Sequence, residues 1–266
     1  MSHSPHILIV DDEDVVLQSV IKICNFEGMT VDVAMDGHSA LEKVRDHHYR
    51  LIISDIMMPG FSGLQLLNEL TACRVQTPVV MTTGYTTVEN AAESIMLGAI
   101  DFLPKPFTVD ELLSVIHRGL RYAEIIGKAA EPACGTVEPA ALDARGCPDG
   151  YYRLGYTAWV HLDGTGLASA GVTPDFLRTI DRIVSIELFD RDTLLSQGGI
   201  CARVGTTGGE MHNVLCALSG NIMERNDELC MAPESIYDDP YGTGRLYTIM
   251  PTEFQMNVRY LARCTG

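Results

Sequence analysis

Five short apolar runs alternate with five stretches of helical period across the first half of the chain, and few folds satisfy that order. The runs are His6–Val10, Thr30–Ala34, Leu51–Ser54, Pro78–Thr82 and Ile100–Leu103. The helical stretches are Val15–Phe26, Ser39–His48, Leu64–Cys73, Val88–Leu97 and Val109–Ala123. In the first of these, Val16, Val20 and Ile23 recur at the spacing of one helix face. Apolar strands that each lead into a helix predict an α/β fold, a parallel sheet covered on both faces. Right-handed crossovers then bring the carboxyl ends of all the strands to one edge, where open sheets of this kind bind ligands.

That edge collects a particular set of polar groups. Asp11-Asp12 follows the first strand and Asp55 the third; Thr83 and Gly84 end the fourth, and Lys105 follows the fifth. A lone acid after a strand is ordinarily a solvated turn residue. Three acids, a hydroxyl and an amine on one edge are harder to explain as turns. Carboxylates crowded together raise one another's pKa unless a cation sits among them. A hard divalent ion with oxygen ligands, most simply Mg²⁺ or else Mn²⁺, resolves the repulsion and leaves a carboxylate oxygen able to attack phosphorus. Lys105 is one of only four lysines in the chain, and its ammonium can neutralise charge from a second side.

The motifs around these residues resemble the response-regulator receiver domain of two-component signalling. Ile7-Leu8-Ile9-Val10-Asp11-Asp12-Glu13, Asp55-Ile56-Met57-Met58-Pro59-Gly60 with Gly63, Thr83-Gly84-Tyr85 and Phe102-Leu103-Pro104-Lys105-Pro106-Phe107 together cover residues 5–125. The resemblance implies a flavodoxin-like (βα)5 doubly wound sheet. It also implies that Asp55 is phosphorylated by a sensor histidine kinase, and that Asp11, Asp12, Asp55 and the main-chain carbonyl of Met57 hold the metal. Lys105 is then the catalytic cation, and Thr83 and Phe102 the switch pair whose ring turns inward on phosphorylation. Met57 and Tyr85 would flank the phosphate. The domain catalyses only its own phosphoryl transfer and dephosphorylation, so no separate enzyme activity is expected.

Residues 126–150 lose the periodicity and hold Pro132, Pro139 and Pro148 among small residues, which reads as a linker between domains 1–125 and 151–266. The second half then reads as short strands broken by Gly-rich turns, with alternation in Ile183–Leu188 and a terminal helix over Thr252–Ala262. Glu224-Arg225-Asn226-Asp227-Glu228-Leu229, Pro233 and Asp239-Pro240-Tyr241-Gly242-Thr243-Gly244 form one run of motifs; Gly171-Val172-Thr173, Asp181–Leu188 and Ser219-Gly220 form another. Both are similar to the glycine cleavage system H protein. That resemblance implies a mostly-β lipoyl-type barrel-sandwich with a lipoyl-bearing lysine at a hairpin tip. Here the corresponding segment, Gly205–Val214, has no lysine, and none occurs after Lys128. An amide-linked prosthetic group needs a primary amine, so no lipoate is expected.

Composition bounds the partners. The formal charge is −16, and both halves are acidic. Such a surface repels nucleic acid and anionic lipid, so neither partner is expected. No apolar run approaches the length of a membrane span, and Met1–His6 has no signal-peptide character, which gives a cytoplasmic reading. The eight cysteines lack CxxC spacing and read as small apolar fillers. The expected protein is a phosphorelay response regulator with a non-DNA, protein-binding output. Its downstream target is unidentified, and a homodimer is compatible with the sequence. The alternatives are a carrier-like component of acyl or one-carbon transfer, and a thiol redox sensor built on Cys201, Cys216 or Cys230.

Overall fold

The computed structural model describes residues 6–84, 88–129 and 146–265. In chain order the first elements are β1 (His6–Val10), α1 (Asp14–Phe26), β2 (Thr30–Ala34), α2 (Gly37–Asp46), β3 (Leu51–Asp55), α3 (Gly63–Ala72), β4 (Val79–Thr83), α4 (Val88–Met96), β5 (Asp101–Pro104) and α5 (Val109–Ala129). The five strands form a parallel sheet in the order β2-β1-β3-β4-β5. The predicted (βα)5 alternation is therefore present, and β1 and β3 are neighbours, with Val10 opposite Ser54. Every residue of β3 and β4 is buried, as expected of inner strands covered on both faces. Ile7, Leu8, Leu51, Ile52, Val80 and Met81 are fully sealed from solvent.

Local chemistry sets the helix starts. The Asp36 carboxylate accepts from the Ser39 amide at 2.8 Å and begins α2. Ser62 and Gln65 exchange side chain and backbone bonds in a capping box, which begins α3 directly after the Asp55 turn. Gly63 opens that helix because nothing larger fits: a Cβ there would lie 2.0 Å from the Asp55 carbonyl oxygen. The last helix differs from its sequence reading. It continues to Ala129, four residues into the stretch read as a linker; residues 130–145 of that stretch lie outside the described residues.

The second half of the chain comprises β6 (Tyr152–Leu154), β7 (Ala158–Leu162), β8 (Ala168–Val172), α6 (Pro174–Thr179), β9 (Ile183–Leu188), β10 (Leu194–Leu195), β11 (Ile200–Thr206), β12 (Met211–Leu215), β13 (Gly220–Arg225), α7 (Asp227–Met231), β14 (Tyr247–Pro251), α8 (Phe254–Asn257) and β15 (Ala262–Arg263). One sheet runs β10-β13-β14-β8-β7-β6-β15 and a second β12-β11-β9, with every pairing antiparallel. The mostly-β reading therefore holds. The terminal helix expected over Thr252–Ala262 does not: α8 is one turn, a 3₁₀ turn covers Val258–Tyr260, and the chain then extends into β15. The end of the segment gains backbone bonds by pairing with β6.

The motif residues of this half hold the fold. Trp159 is fully buried and donates its indole N–H to the Pro240 carbonyl at 3.1 Å. The Asn226 amide donates to the carbonyls of Thr243 and Arg245, both at 2.8 Å. The Asp239 carboxylate accepts from the Gly242 and Thr243 amides and folds the turn before β14.

Candidate functional site

The carboxyl ends of β1, β3, β4 and β5 bring the sequence-selected residues together. Asp11 is 2% exposed; its Oδ1 accepts from the Glu13 amide at 3.0 Å. Asp55 ends β3 and is 4% exposed; its Oδ1 accepts from the Met57 amide at 3.1 Å. One carboxylate oxygen from each of Asp11, Asp12 and Asp55 lies within 4.8 Å of the others. Lys105 reaches between two of them, its Nζ 2.6 Å from Asp11 Oδ2 and 2.7 Å from Asp55 Oδ2, with Glu13 Oε1 farther off at 3.6 Å. The Lys105 amide donates to the Thr83 carbonyl at 2.8 Å, which ties the loop after β5 to the end of β4. The Lys105–Pro106 peptide is cis.

The electrostatics follow from three acids and one amine at low exposure. Burial pushes the Asp11 carboxyl above the usual carboxylate range; the Lys105 hydrogen bond and the Glu13 amide oppose that push, and the Asp55 charge adds to it. Burial alone lowers the Lys105 ammonium, but its bonds to Asp11 and Asp55 outweigh this and hold it above its ordinary value. Both directions describe a pocket with more negative charge than one ammonium neutralises. Such a donor set, all hard oxygens, suits Mg²⁺ or Mn²⁺.

Thr83 ends β4 and is fully buried beside this cluster's strand ends. Phe102 lies in β5 opposite Met81 and is 6% exposed. Met57 is half-exposed on the turn after Asp55, and Tyr85 lies outside the described residues.

The sequence reading passed over a second charged group in the same unit. Asp101 and Arg118 are 2% and 1% exposed and form an ion pair; Arg118 Nε lies 3.0 Å from Asp101 Oδ2, and Arg118 also donates to the Ser114 hydroxyl at 2.8 Å. Asp101 Oδ1 accepts from the Phe102 amide at 2.9 Å. The available signal was an Arg on the apolar face of α5, among Leu112, Val115 and Ile116, together with an acid at the start of an apolar strand.

Two family models match the chain along its length. Residues 7–117 match the response regulator receiver domain. They belong to that family. Residues 151–263 match the glycine cleavage H-protein and make up the domain that follows. Relatives of the receiver domain include the regulatory protein AtoC of Escherichia coli K12, 37% identical over 115 residues, which are 43% of this chain and 25% of that protein. The transcriptional regulatory protein FixJ of Bradyrhizobium diazoefficiens is 32% identical over 129 residues, 48% of this chain and 63% of that protein. The crystal structure of the receiver domain of NtrX from Brucella abortus is 40% identical, covers 43% of this chain and 97% of that one, and has a TM-score of 0.41. The chain thus spans between 25% and 63% of the length of these curated relatives. What they share with this chain is its receiver domain.

In the H-protein domain, the hairpin that would present a lipoyl-bearing lysine is formed. β11 and β12 pair with Gly205 opposite Met211, and the exposed tip Thr207–Gly209 is closed by the Gly209 amide on the Thr206 carbonyl at 2.9 Å. Its side chains offer no amine. The Glu224–Asp227 motif lines a cavity of about 320 Å³ together with Arg245 and Thr248, and Arg225 there is bound by Asp190 at 2.7 Å and Asp227 at 2.6 Å. His161 and His212 do not meet: His161 stacks on Tyr151, and His212 lies 3.4 Å from Glu210.

The cysteines correct the reading as uniform fillers. Cys147 and Cys264 form a disulfide. Cys24, Cys201 and Cys216 are buried free thiols, and burial pushes Cys24 up to about 11. Cys201 is held as a neutral thiol by its hydrogen bond to Cys216 and by burial. A reactive sensor thiol needs the opposite, an exposed thiolate. Cys73 and Cys230 are exposed. No helix among the described residues is long and apolar enough to cross a membrane.

Proposed function

We propose that Asp55 accepts a phosphoryl group from a sensor histidine kinase and that this chain signals through its H-protein domain by protein contact. The observation that carries the reading is the convergence of Asp11, Asp12 and Asp55 within 4.8 Å, with Lys105 bonded to two of them. Asp11, Asp12, Asp55 and the Met57 carbonyl would hold Mg²⁺ or Mn²⁺, which supplies charge neutralisation at the phosphoryl oxygens. Asp55 Oδ1 is oriented by the Met57 amide, and Oδ2 by Lys105. A carboxylate oxygen attacks phosphorus, the bond to the kinase imidazole breaks, and Asp55 becomes an acyl phosphate. Lys105 then follows the charge from the carboxylate to a phosphoryl oxygen, and the Thr83 hydroxyl bonds another, so that a local electrostatic change biases the strand ends of β4 and β5.

The output is a folded lysine-free member of a carrier family, so the carrier reading loses its attachment point, and a partner-binding surface is what remains. The acidic charge favours a protein target over nucleic acid or anionic membrane, in the cytoplasm, with a homodimer among the permitted assemblies. The test is Mg²⁺-dependent labelling of the full chain by a small phosphodonor such as acetyl phosphate. Asp55→Asn is expected to abolish it. Full labelling of that variant would remove Asp55 from the role. Intact mass of protein from its native host, expected to show no lipoyl adduct, checks the second half of the reading.

A further inference from the structure

The Cys147–Cys264 disulfide has no part in the chemistry of Asp55. It joins residues 117 apart in sequence, with their Cα atoms 5.7 Å apart, and the whole H-protein match, residues 151–263, lies between them. What it fastens is a short strap, residues 258–265. β15 is two residues long, pairs only with β6, and forms the outermost strand of the seven-stranded sheet. Both of its residues are exposed, and within residues 258–265 Cys264 alone is buried. Besides the two-residue ladder, the Cys264 amide donates to the Tyr151 carbonyl at 2.9 Å. Ladders that short, with no packed side chains, have little stability of their own. The sulfur bond is therefore the principal tie between the strap and the edge of β6.

We propose that Cys147–Cys264 is a reversible thiol–disulfide site, a clasp that covers or uncovers the β6 edge, and that its co-reactant is a dithiol. This goes beyond the phosphoryl reading and does not depend on it. It does rest on the cytoplasmic placement proposed above: in a reducing compartment, protein disulfides are usually transient or redox-sensing ones. The exchange balances in two steps. A thiolate of the dithiol attacks one protein sulfur, the S–S bond breaks, and the other cysteine leaves as a thiolate that takes a proton. The second sulfur of the dithiol then attacks the mixed disulfide and frees the first cysteine. Two electrons pass to the protein, and the dithiol ends as its own disulfide. Cys147 and Cys264 are 3% and 2% exposed, so attack proceeds through fraying of β15, a two-residue edge strand. Opening leaves the outer edge of β6, Tyr152–Leu154, with unpaired backbone groups, a template for another strand.

The test uses the full chain, purified without reductant, and dithiothreitol as the dithiol. Alkylation in denaturant is expected to modify two fewer of the eight cysteines before reduction than after it. After reduction under native conditions, amide exchange in residues 258–265 and in β6 is expected to rise about tenfold or more, while β1, β3, β13 and β14 keep their protection. Cys264→Ser should exchange like the reduced protein without any reductant; Cys147→Ser gives the same readout with Cys264 retained, should the first variant fail to fold. Full alkylation before reduction would overturn the proposal, as would unchanged exchange at 258–265. Loss of protection in β13 and β14 together with β15 would make the bond a staple of the whole domain and overturn the clasp.

Discussion

Replacing Asp12 by asparagine is expected to stabilise the metal-free receiver domain while weakening its response to Mg²⁺. Asp12 has carboxylate oxygens of both Asp11 and Asp55 within 4.8 Å, and Lys105 pairs with those two acids and not with Asp12. Two unit charges at that separation repel by about 3.5 kcal/mol at an effective dielectric near 20. Two neighbouring acids against one ammonium leave roughly one such repulsion uncompensated. Asp12 is half-buried, and solvent screening reduces the figure to about 1–2 kcal/mol. For a domain of this size the gain corresponds to a rise in Tm of about 5–10 °C. The same substitution removes a metal ligand, and since loss of an outer-shell partner alone weakens metal binding ~10–100-fold, Mg²⁺ affinity should fall by at least about tenfold. Thermal unfolding of the receiver transition in EDTA and across a Mg²⁺ titration measures both effects. A variant less stable than the parent in EDTA would refute the repulsion argument. One with the parent's full Mg²⁺ shift would remove Asp12 from the metal site.

Arg118→Met leaves Asp101 buried without its ion pair and should destabilise the domain by about 3–5 kcal/mol in denaturant unfolding, whereas Arg118→Met with Asp101→Leu should recover part of that loss. Equal losses in the single and double variants would show that the pair is not coupled. Tyr49→Phe tests the opposite edge of the sheet. Burial raises the Asp32 carboxyl, but the Tyr49 hydroxyl at 2.8 Å and His6 outweigh it and bring Asp32 below the ordinary aspartate value of 3.8. A depressed carboxyl contributes stability that is present above pH 3.8 and lost as pH falls through its folded value. The variant should therefore lose less than about 1 kcal/mol at neutral pH, given the exposure of Asp32, and nothing at a pH low enough to protonate Asp32 in the folded protein. The same deficit at both pH values in urea unfolding would assign the loss to packing.

The local pattern of the chain determined its first half. Strand and helix periods are written into neighbouring residues, and the hand of the crossovers then fixes which strand ends share an edge, so Asp11, Asp12, Asp55, Thr83 and Lys105 were placed together from residue order alone. The missing amine of the H-protein hairpin is likewise a fact of composition, which the shape of the Gly205–Met211 turn leaves unchanged. Tertiary structure decided what depends on residues far apart meeting. Cys147 and Cys264 are 117 positions apart and have nothing in their spacing to mark them as partners. Asp101 and Arg118 become a buried pair only when α5 lies on β5. Segment 252–262 carries Phe254, Val258 and Leu261 at helical spacing, yet it folds as short turns and a strand whose end pairs with β6. Periodicity reports which face of an element seeks burial; the folded chain alone determines what meets it there.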